Sequence, residues 1–245
     1  MTSPGNNAPE KSRVFTITMR ALIKTTFYSL FKTIRGASVE SGGSRELSSG
    51  FLSDKIRKKA VEISIPRTGR LLEVGSGEGI FLESISKLAN GLYFGVEPVP
   101  AMIERTKERF CLGAMTPPRL CDAIGEALPF KNDTFDRIIC VNMLHNQPSV
   151  QAVHSILLET ARICKTGGSI IFDIRNSFNP IMYLSYRYAY LYDSSCKNLP
   201  LNTYSPVDIE RTLNSLGFSI LERFPVLSPM AWLAPAIVFQ ARKVN

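Results

Sequence analysis

Histidine and tryptophan are scarce in this chain: its 245 residues hold two histidines, His145 and His154, and a single tryptophan. The five cysteines (Cys111, Cys121, Cys140, Cys164 and Cys196) are irregularly spaced and form no CxxC pair. So few imidazoles and no paired thiols leave a structural zinc without ligands, and no metal is expected. An odd cysteine count without a framework suits reduced thiols rather than disulfides, so a cytoplasmic location is the expectation. No apolar run reaches the roughly 18–20 residues of a membrane-spanning helix. A P-loop is missing too, because no GK[ST] follows the chain's glycine-rich turn.

Net charge is lacking from the body of the chain. Residues 71–245 hold 16 Lys/Arg and 16 Asp/Glu, whereas residues 1–70 hold 13 and 5, so the whole excess of +8 precedes residue 71. A neutral body has no basic groove for nucleic acid, and no nucleic-acid partner is expected. An electrostatic partner would meet the N-terminal arm instead.

The arm is residues 1–50. Residues 1–12 and 36–50 are rich in Gly, Ser and other polar residues and read as flexible tail and linker. Between them, RVFTITMRALIKTTFYSLFKTIR (about residues 13–35) repeats apolar residues at helical spacing, from Phe15 and Met19 through Leu22 and Ile23 to Phe31 and Ile34. The segment carries five Lys/Arg and no acid. Three roles suit such a helix: lying in a membrane interface with its cations near anionic headgroups, packing on the domain as a lid, or serving as an organellar transit peptide. Peripheral membrane contact through 13–35 enters the expectations on the first of these. The cluster KIRKK, residues 55–59, opens a helix running into Val61 and Ile63 and reads as a solvated face.

From residue 70 on, strand and helix patterns alternate. Apolar runs mark strands at 70–74, 93–96, 137–142 and 169–174, and two more at 218–224 and 236–241 form a closing hairpin-like pair. Helical periods occupy 80–88, 100–110 and 149–164, the last broken by KTGG at 165–168. A further helix has Ser205 as N-cap, Pro206 at its first position and Gly217 as its stop. Such alternation makes an α/β fold with a mainly parallel sheet and helices on both faces, whose ligand sits at the carboxyl ends of the strands.

The stretch LLEVGSGEG, residues 71–79, lies between the first strand and a helix, where a nucleotide-type ligand belongs. Its glycines follow G-x-G-x-G rather than the G-x-G-x-x-G of dinucleotide binding. Glu73 precedes them by two positions. A carboxylate repels a pyrophosphate but attracts a ligand bearing an ammonium and a sulfonium.

These residues resemble motif I of the class I S-adenosylmethionine-dependent methyltransferases, and later segments follow that family in order. Glu97 ends the second strand, where the family has an acid on the ribose hydroxyls. DAIGEALPFKNDTFD (122–136) is similar to the family's Asp-Ala…LPF…FD stretch, with a slightly longer spacer before LPF. RIICVNMLHN matches the fourth strand, and ETARICKTGG is similar to the E-x-x-R-x-L-K-P-G-G turn, with Cys164 and Thr166 in place of leucine and proline. The resemblance covers roughly 60–245. It implies a Rossmann-like, seven-stranded, mainly parallel sheet with an antiparallel C-terminal strand pair, filling a domain at 51–245. It also implies S-adenosyl-L-methionine as cofactor.

By the same resemblance, Gly75, Ser76 and Gly77 meet the methionine part, with Glu73 on its amino group. Glu97 and Pro98 meet the ribose; Met102 packs on adenine or is simply core; Asp122 and Ala123 meet the adenine edge. Val141 and Asn142 stand beside the sulfonium. His145 follows the fourth strand as a candidate general base, with packing an equal alternative, and His154 lies within a helix. The family's substrate cap falls at about 175–203, here RNSFNPIMYLSYRYAYLYD and beyond, where Tyr183, Arg187 and Tyr190 would share one helix side and touch substrate unless the segment is only a lid. The strand end VNML departs from the [DN]PP[YF] tetrad of enzymes methylating adenine or glutamine. The methyl acceptor is therefore expected to be a small, apolar or lipid-linked molecule reacting through oxygen or carbon. Competing readings are a non-catalytic binding module of this fold and, against the glycine spacing, an NAD-dependent oxidoreductase.

Overall fold

The computed structural model describes residues 51–64, 69–189 and 201–244. The arm, with the helix expected at 13–35, and also Tyr190 and Cys196, lie outside the described residues.

Helix α1 (Phe51–Ser64) leads into β1 (Arg70–Val74), α2 (Ile80–Ser86), β2 (Leu92–Val96), α3 (Pro100–Leu112) and β3 (Arg119–Cys121). Next come β4 (Phe135–Cys140), a short 3-10 turn at Leu144–Asn146, α4 (Val150–Ile163) and β5 (Cys164–Arg175). The chain closes with α5 (Pro180–Arg187), α6 (Pro206–Ser215), β6 (Phe218–Val226) and β7 (Ala236–Lys243). The seven strands form one sheet in the order β3-β2-β1-β4-β5-β7-β6. Strands β1 to β5 pair in parallel, and β7 runs antiparallel between β5 and β6.

Alternation along the strands divides the core between two faces. Leu72 and Val74 of β1, Ile138 of β4, and Ile170 and Phe172 of β5 pack with α4 and α6. Leu71, Ile139, Ile171 and Val238 point the other way, against Leu52, Ile56 and Ala60 of α1, Phe81 and Ile85 of α2, and Met182 and Tyr186 of α5. Strand order reverses between β1 and β4, so the loops after them part and leave a crevice there.

Helix ends follow their local chemistry. The Ser205 side chain accepts from the Asp208 N–H, Ser149 caps α4 in the same way, and Gly217 ends α6 at φ 80°. Where observation departs from expectation, the reason is local. β3 has three residues behind Pro117-Pro118, too few to show a period. β4 starts earlier and stops at Cys140, because Asn142 takes a left-handed φ of 59°. The KTGG segment does not separate α4 from β5; it is an irregularity inside β5, with Gly167 at φ 78° and the register against β4 shifting between Phe135 and Arg137. The KIRKK helix begins at Phe51, and its Arg57 is buried rather than solvated.

Three glycines make the turn after β1: Gly75, Gly77 and Gly79 have φ of 72°, 51° and 73°. A Cβ at Gly79 would stand 2.5 Å from Thr106 Cγ2, whereas one at Gly77 would meet nothing within 4 Å. Gly79→Ala is therefore expected to cost about 2–3 kcal/mol of stability in chemical denaturation, from left-handed strain plus the clash. Gly77→Ala should cost only the strain, about 1–2 kcal/mol.

Candidate functional site

The glycine turn is held from two sides. Gly75 and Ser76 donate their N–H groups to the Val96 carbonyl at the end of β2, at 2.8 and 3.0 Å. From α3, Thr106 Oγ1 donates to the Gly77 carbonyl (3.0 Å) and Arg109 Nε to the Glu78 carbonyl (2.9 Å). Glu97, just past β2, accepts from Gly77 N–H at 2.9 Å and from Val99 N–H at 3.1 Å. This turn forms one wall of a cleft of about 550 Å³ at the carboxyl ends of β1, β2 and β4.

Glu73 faces that cleft from a strand position otherwise reserved for the core. In register it stands beside Gly95 of β2 and Ile139 of β4, on the sheet face covered by α1 and α2. It is 4% exposed, and its Oε2 has no hydrogen-bond partner. Burial raises its pKa well above the usual carboxylate range; Arg57 pulls it back, and the nearby Glu97 adds to the rise. Arg57 comes from α1, lines the same cleft, and donates to Asp54 at 2.7 Å. Glu126 lines the cleft as well, so three carboxylates and one guanidinium surround the space.

Nine of the eleven residues expected at the cofactor line this cleft: Glu73, Gly75, Ser76, Gly77, Glu97, Pro98, Ala123, Val141 and Asn142. The other two do not. Met102 sits one turn into α3, and Val99 lines the cleft in its place. Asp122 is exposed directly after β3; the chain then turns, with Ala127 N–H on the Ile124 carbonyl, and brings Ile124, Gly125 and Glu126 to the cleft. The longer spacer before LPF is the sequence signal for that change.

His145 is not on the cleft wall, although its neighbours Asn146 and Gln147 are. Its ring lies 6.1 Å from that of Tyr186 on α5, tilted by 40°, and its carbonyl accepts from Asn202 N–H. Adjacent residues in a 3-10 turn point about a third of a circle apart, so His145 faces the cap helix while its neighbours face the cleft. Of the tyrosines in that helix, Tyr183 is exposed, as is Arg187, and it is Tyr186 that turns inward. A buried network joins it to the cleft: Arg175 Nε donates to Tyr186 Oη (3.1 Å), Arg175 Nη2 to Asn142 Oδ1 (3.1 Å), and Arg175 pairs with Asp173. Asp173 in turn accepts from Asn142 N–H, and burial raises its pKa despite those donors. Among the described residues no group of side chains has the makings of a metal site.

The methyltransferase-domain family matches residues 72–172, which span the glycine turn, Glu97, both sides of the cleft and β4. The chain is thus similar to methyltransferase domains across the stretch that builds the cleft. Phosphatidylethanolamine N-methyltransferase of Cereibacter sphaeroides is 28% identical over 128 residues, 51% of this chain and 60% of the relative. The chain thus matches less than two thirds of that protein's length. Among solved structures, an S-adenosylmethionine-dependent methyltransferase from Clostridium acetobutylicum superposes at a TM-score of 0.62, with 17% identity, over 90% of this chain and 99% of that one. The YcgJ protein of Bacillus subtilis superposes at 0.63, with 16% identity, over 78% and 99%. These likenesses establish the fold.

Two contributions to the cleft went unanticipated. Arg57 hides in a basic cluster, and only the phase of Leu52, Ile56 and Ala60 along α1 marks it as inward-facing. Glu126 is one acid in a spacer without periodicity. Because the folded Glu73 holds its proton more tightly than the unfolded chain does, ligand-free stability should fall as pH rises from the ordinary carboxylate range through its raised pKa. Glu73→Gln is expected to flatten that fall and raise the ligand-free Tm at neutral pH; an unchanged pH profile would mean that Glu73 is not the buried titrating group.

Proposed function

We propose that the protein is an S-adenosylmethionine-dependent methyltransferase whose acceptor is a small, apolar or lipid-linked molecule. The observation that carries the cofactor assignment is the buried Glu73 carboxylate with an unbonded oxygen, beside the Arg57 guanidinium. An α-amino acid presents one positive and one negative group, and these two side chains are complementary to both. Glu97 has the place and charge to accept from ribose hydroxyls, Val99, Ile124 and Ala123 offer apolar surface to a purine, and Glu126 can accept from its amino group. A dinucleotide would bring a pyrophosphate among three carboxylates, and the Gly77 N–H that would receive it is already donated to Glu97. The NAD-dependent reading is disfavoured on that ground.

Bound here, S-adenosylmethionine supplies a methyl group activated by a sulfonium. The protein's part is positioning. Glycines without side chains let the ligand lie against the turn, and the open space at Gly77 is the cradle a Cβ would fill. Asn142, locked by Asp173 and Arg175, fixes the end of β4, and Tyr186 ties that point to the cap helix. Holding donor and acceptor in line and keeping water out are the main levers such an enzyme has.

For the acceptor, the strand end VNML and the tyrosine-bearing cap helix support oxygen or carbon in an apolar molecule. The Cereibacter relative is named for a lipid amine, which supports a lipid-linked acceptor and makes aminophospholipid the competing substrate. Two measurements test the proposal. In calorimetry, S-adenosylhomocysteine should bind and NAD should not. Glu97→Ala and Glu126→Ala should each weaken binding by about 1–3 kcal/mol, while Asp122→Ala should change it little. With tritiated S-adenosylmethionine, label should move into an apolar or lipid-linked acceptor. Transfer to an aminophospholipid would replace the oxygen-or-carbon assignment, and cofactor binding without turnover on any acceptor would indicate a non-catalytic module.

A further inference from the structure

The cap helix buries one side and leaves the other bare. Met182, Ser185 and Tyr186 are buried, whereas Ile181, Leu184 and Tyr188, spaced i, i+3 and i+7, are each more than two-fifths exposed, and Phe178 precedes them at 50%. The loop between β6 and β7 adds Leu227, Met230 and the chain's single tryptophan, Trp232, at 47%, 50% and 56% exposure. The two segments are pinned together. Asn176 Nδ2 donates to the carbonyls of Ala231 and Ala234, Asn176 N–H donates to the Pro235 carbonyl, and Asn179, the N-cap of α5, donates to the Leu233 carbonyl. These buried asparagines hold the apolar side chains of both segments in one fixed surface.

We propose that this surface, formed by the outer side of α5 and the β6–β7 loop, seats the protein on a lipid bilayer. Three observations favour a lipid surface over a protein partner. Residues 176–189 and 225–235 carry no acid, so nothing in them repels anionic headgroups, and Arg187 stands one turn from Leu184 on the exposed side. The exposed set mixes aliphatic Ile181, Leu184 and Met230 with Trp232, Tyr183 and Tyr188, whose rings with polar edges belong at the boundary between headgroups and acyl chains. The arm preceding α1 carries seven Lys/Arg against three Asp/Glu, so it too would be drawn to an anionic surface.

The consequence bears on substrate. From the inner side of the same helix, Tyr186 is bonded through Arg175 to Asn142 on the cleft wall. A bilayer under α5 would deliver a lipid-linked acceptor to the cap without its crossing water. This step rests on the lipid-linked reading of the acceptor, but docking is measurable without turnover.

Because Trp232 is the only tryptophan, its fluorescence in the full chain reports on this surface alone. With vesicles of phosphatidylcholine and phosphatidylglycerol in equal parts, its emission should shift to the blue and be quenched by lipids brominated on the acyl chains. Vesicle binding without any tryptophan response would mean that the arm alone holds the membrane, and would overturn the proposal. A blue shift that grows with protein concentration and without vesicles, together with a dimer mass, would assign the surface to a second copy and overturn it too. Tryptophan already shielded from acrylamide before vesicles are added, and unmoved by them, would assign it to the chain's own arm with the same result. The double variant Ile181→Glu/Leu184→Glu should lose about tenfold or more in vesicle affinity with unaltered S-adenosylhomocysteine affinity; unchanged vesicle affinity would contradict the assignment. Absence of S-adenosylhomocysteine binding in the unmodified chain would defeat the enzymatic reading and leave the vesicle result standing.

Discussion

A carboxylate useful for holding an ammonium group must be charged when the ligand arrives, yet Glu73 occupies a strand position between Gly95 and Ile139 that the fold fills elsewhere with aliphatics. Desolvation pushes it toward the neutral acid, and Arg57 pushes back. Much of the local architecture follows from making that compromise workable. Helix α1 packs on the sheet through Leu52, Ile56 and Ala60, and that packing carries Arg57 to the cleft. The glycine turn bends away with three left-handed residues, which opens the space a ligand needs beside the carboxylate. Side chains from α3 and the Val96 carbonyl hold the turn, so the opening exists before any ligand is bound.

Charge then selects the ligand. Glu73, Glu97 and Glu126 make the cleft hostile to phosphates and receptive to cations and hydroxyl donors. An unpaired buried oxygen is a cost to the folded chain, of the kind that proteins tolerate at functional sites and seldom elsewhere. The network of Asp173, Arg175, Asn142 and Tyr186 extends the same logic toward the cap. Its buried charges are mutually bonded, and they couple the end of β4 to the helix under which an acceptor would enter.

Most of the sheet was legible because its strands are buried on both faces and read as apolar runs bounded by glycines. The helix cap at Ser205 was legible from side-chain chemistry alone. β3 was not, since three residues cannot show a period. The glycine turn with Glu73 was readable because spacing and charge there are unusual together; Arg57 was not, since a cation within KIRKK gives no sign of which one turns inward until the helix has a partner. Glu126 rather than Asp122 reaches the cleft wall because a longer spacer moves the turn, and turns are set by backbone closure rather than by residue type. Tyr186, not Tyr183 or Arg187, faces inward because Met182 and Ser185 set the buried side of α5.

The most direct test is calorimetry of S-adenosylhomocysteine binding to the full chain at mildly acidic pH, where the ligand's amino group is already charged, in buffers of different ionisation enthalpy. If Glu73 ionises to receive the ammonium group, binding should release protons, and Glu73→Gln should abolish that release while weakening affinity by about 1.5–3 kcal/mol. Binding with no proton release, or with full affinity in the Gln variant, would contradict the account.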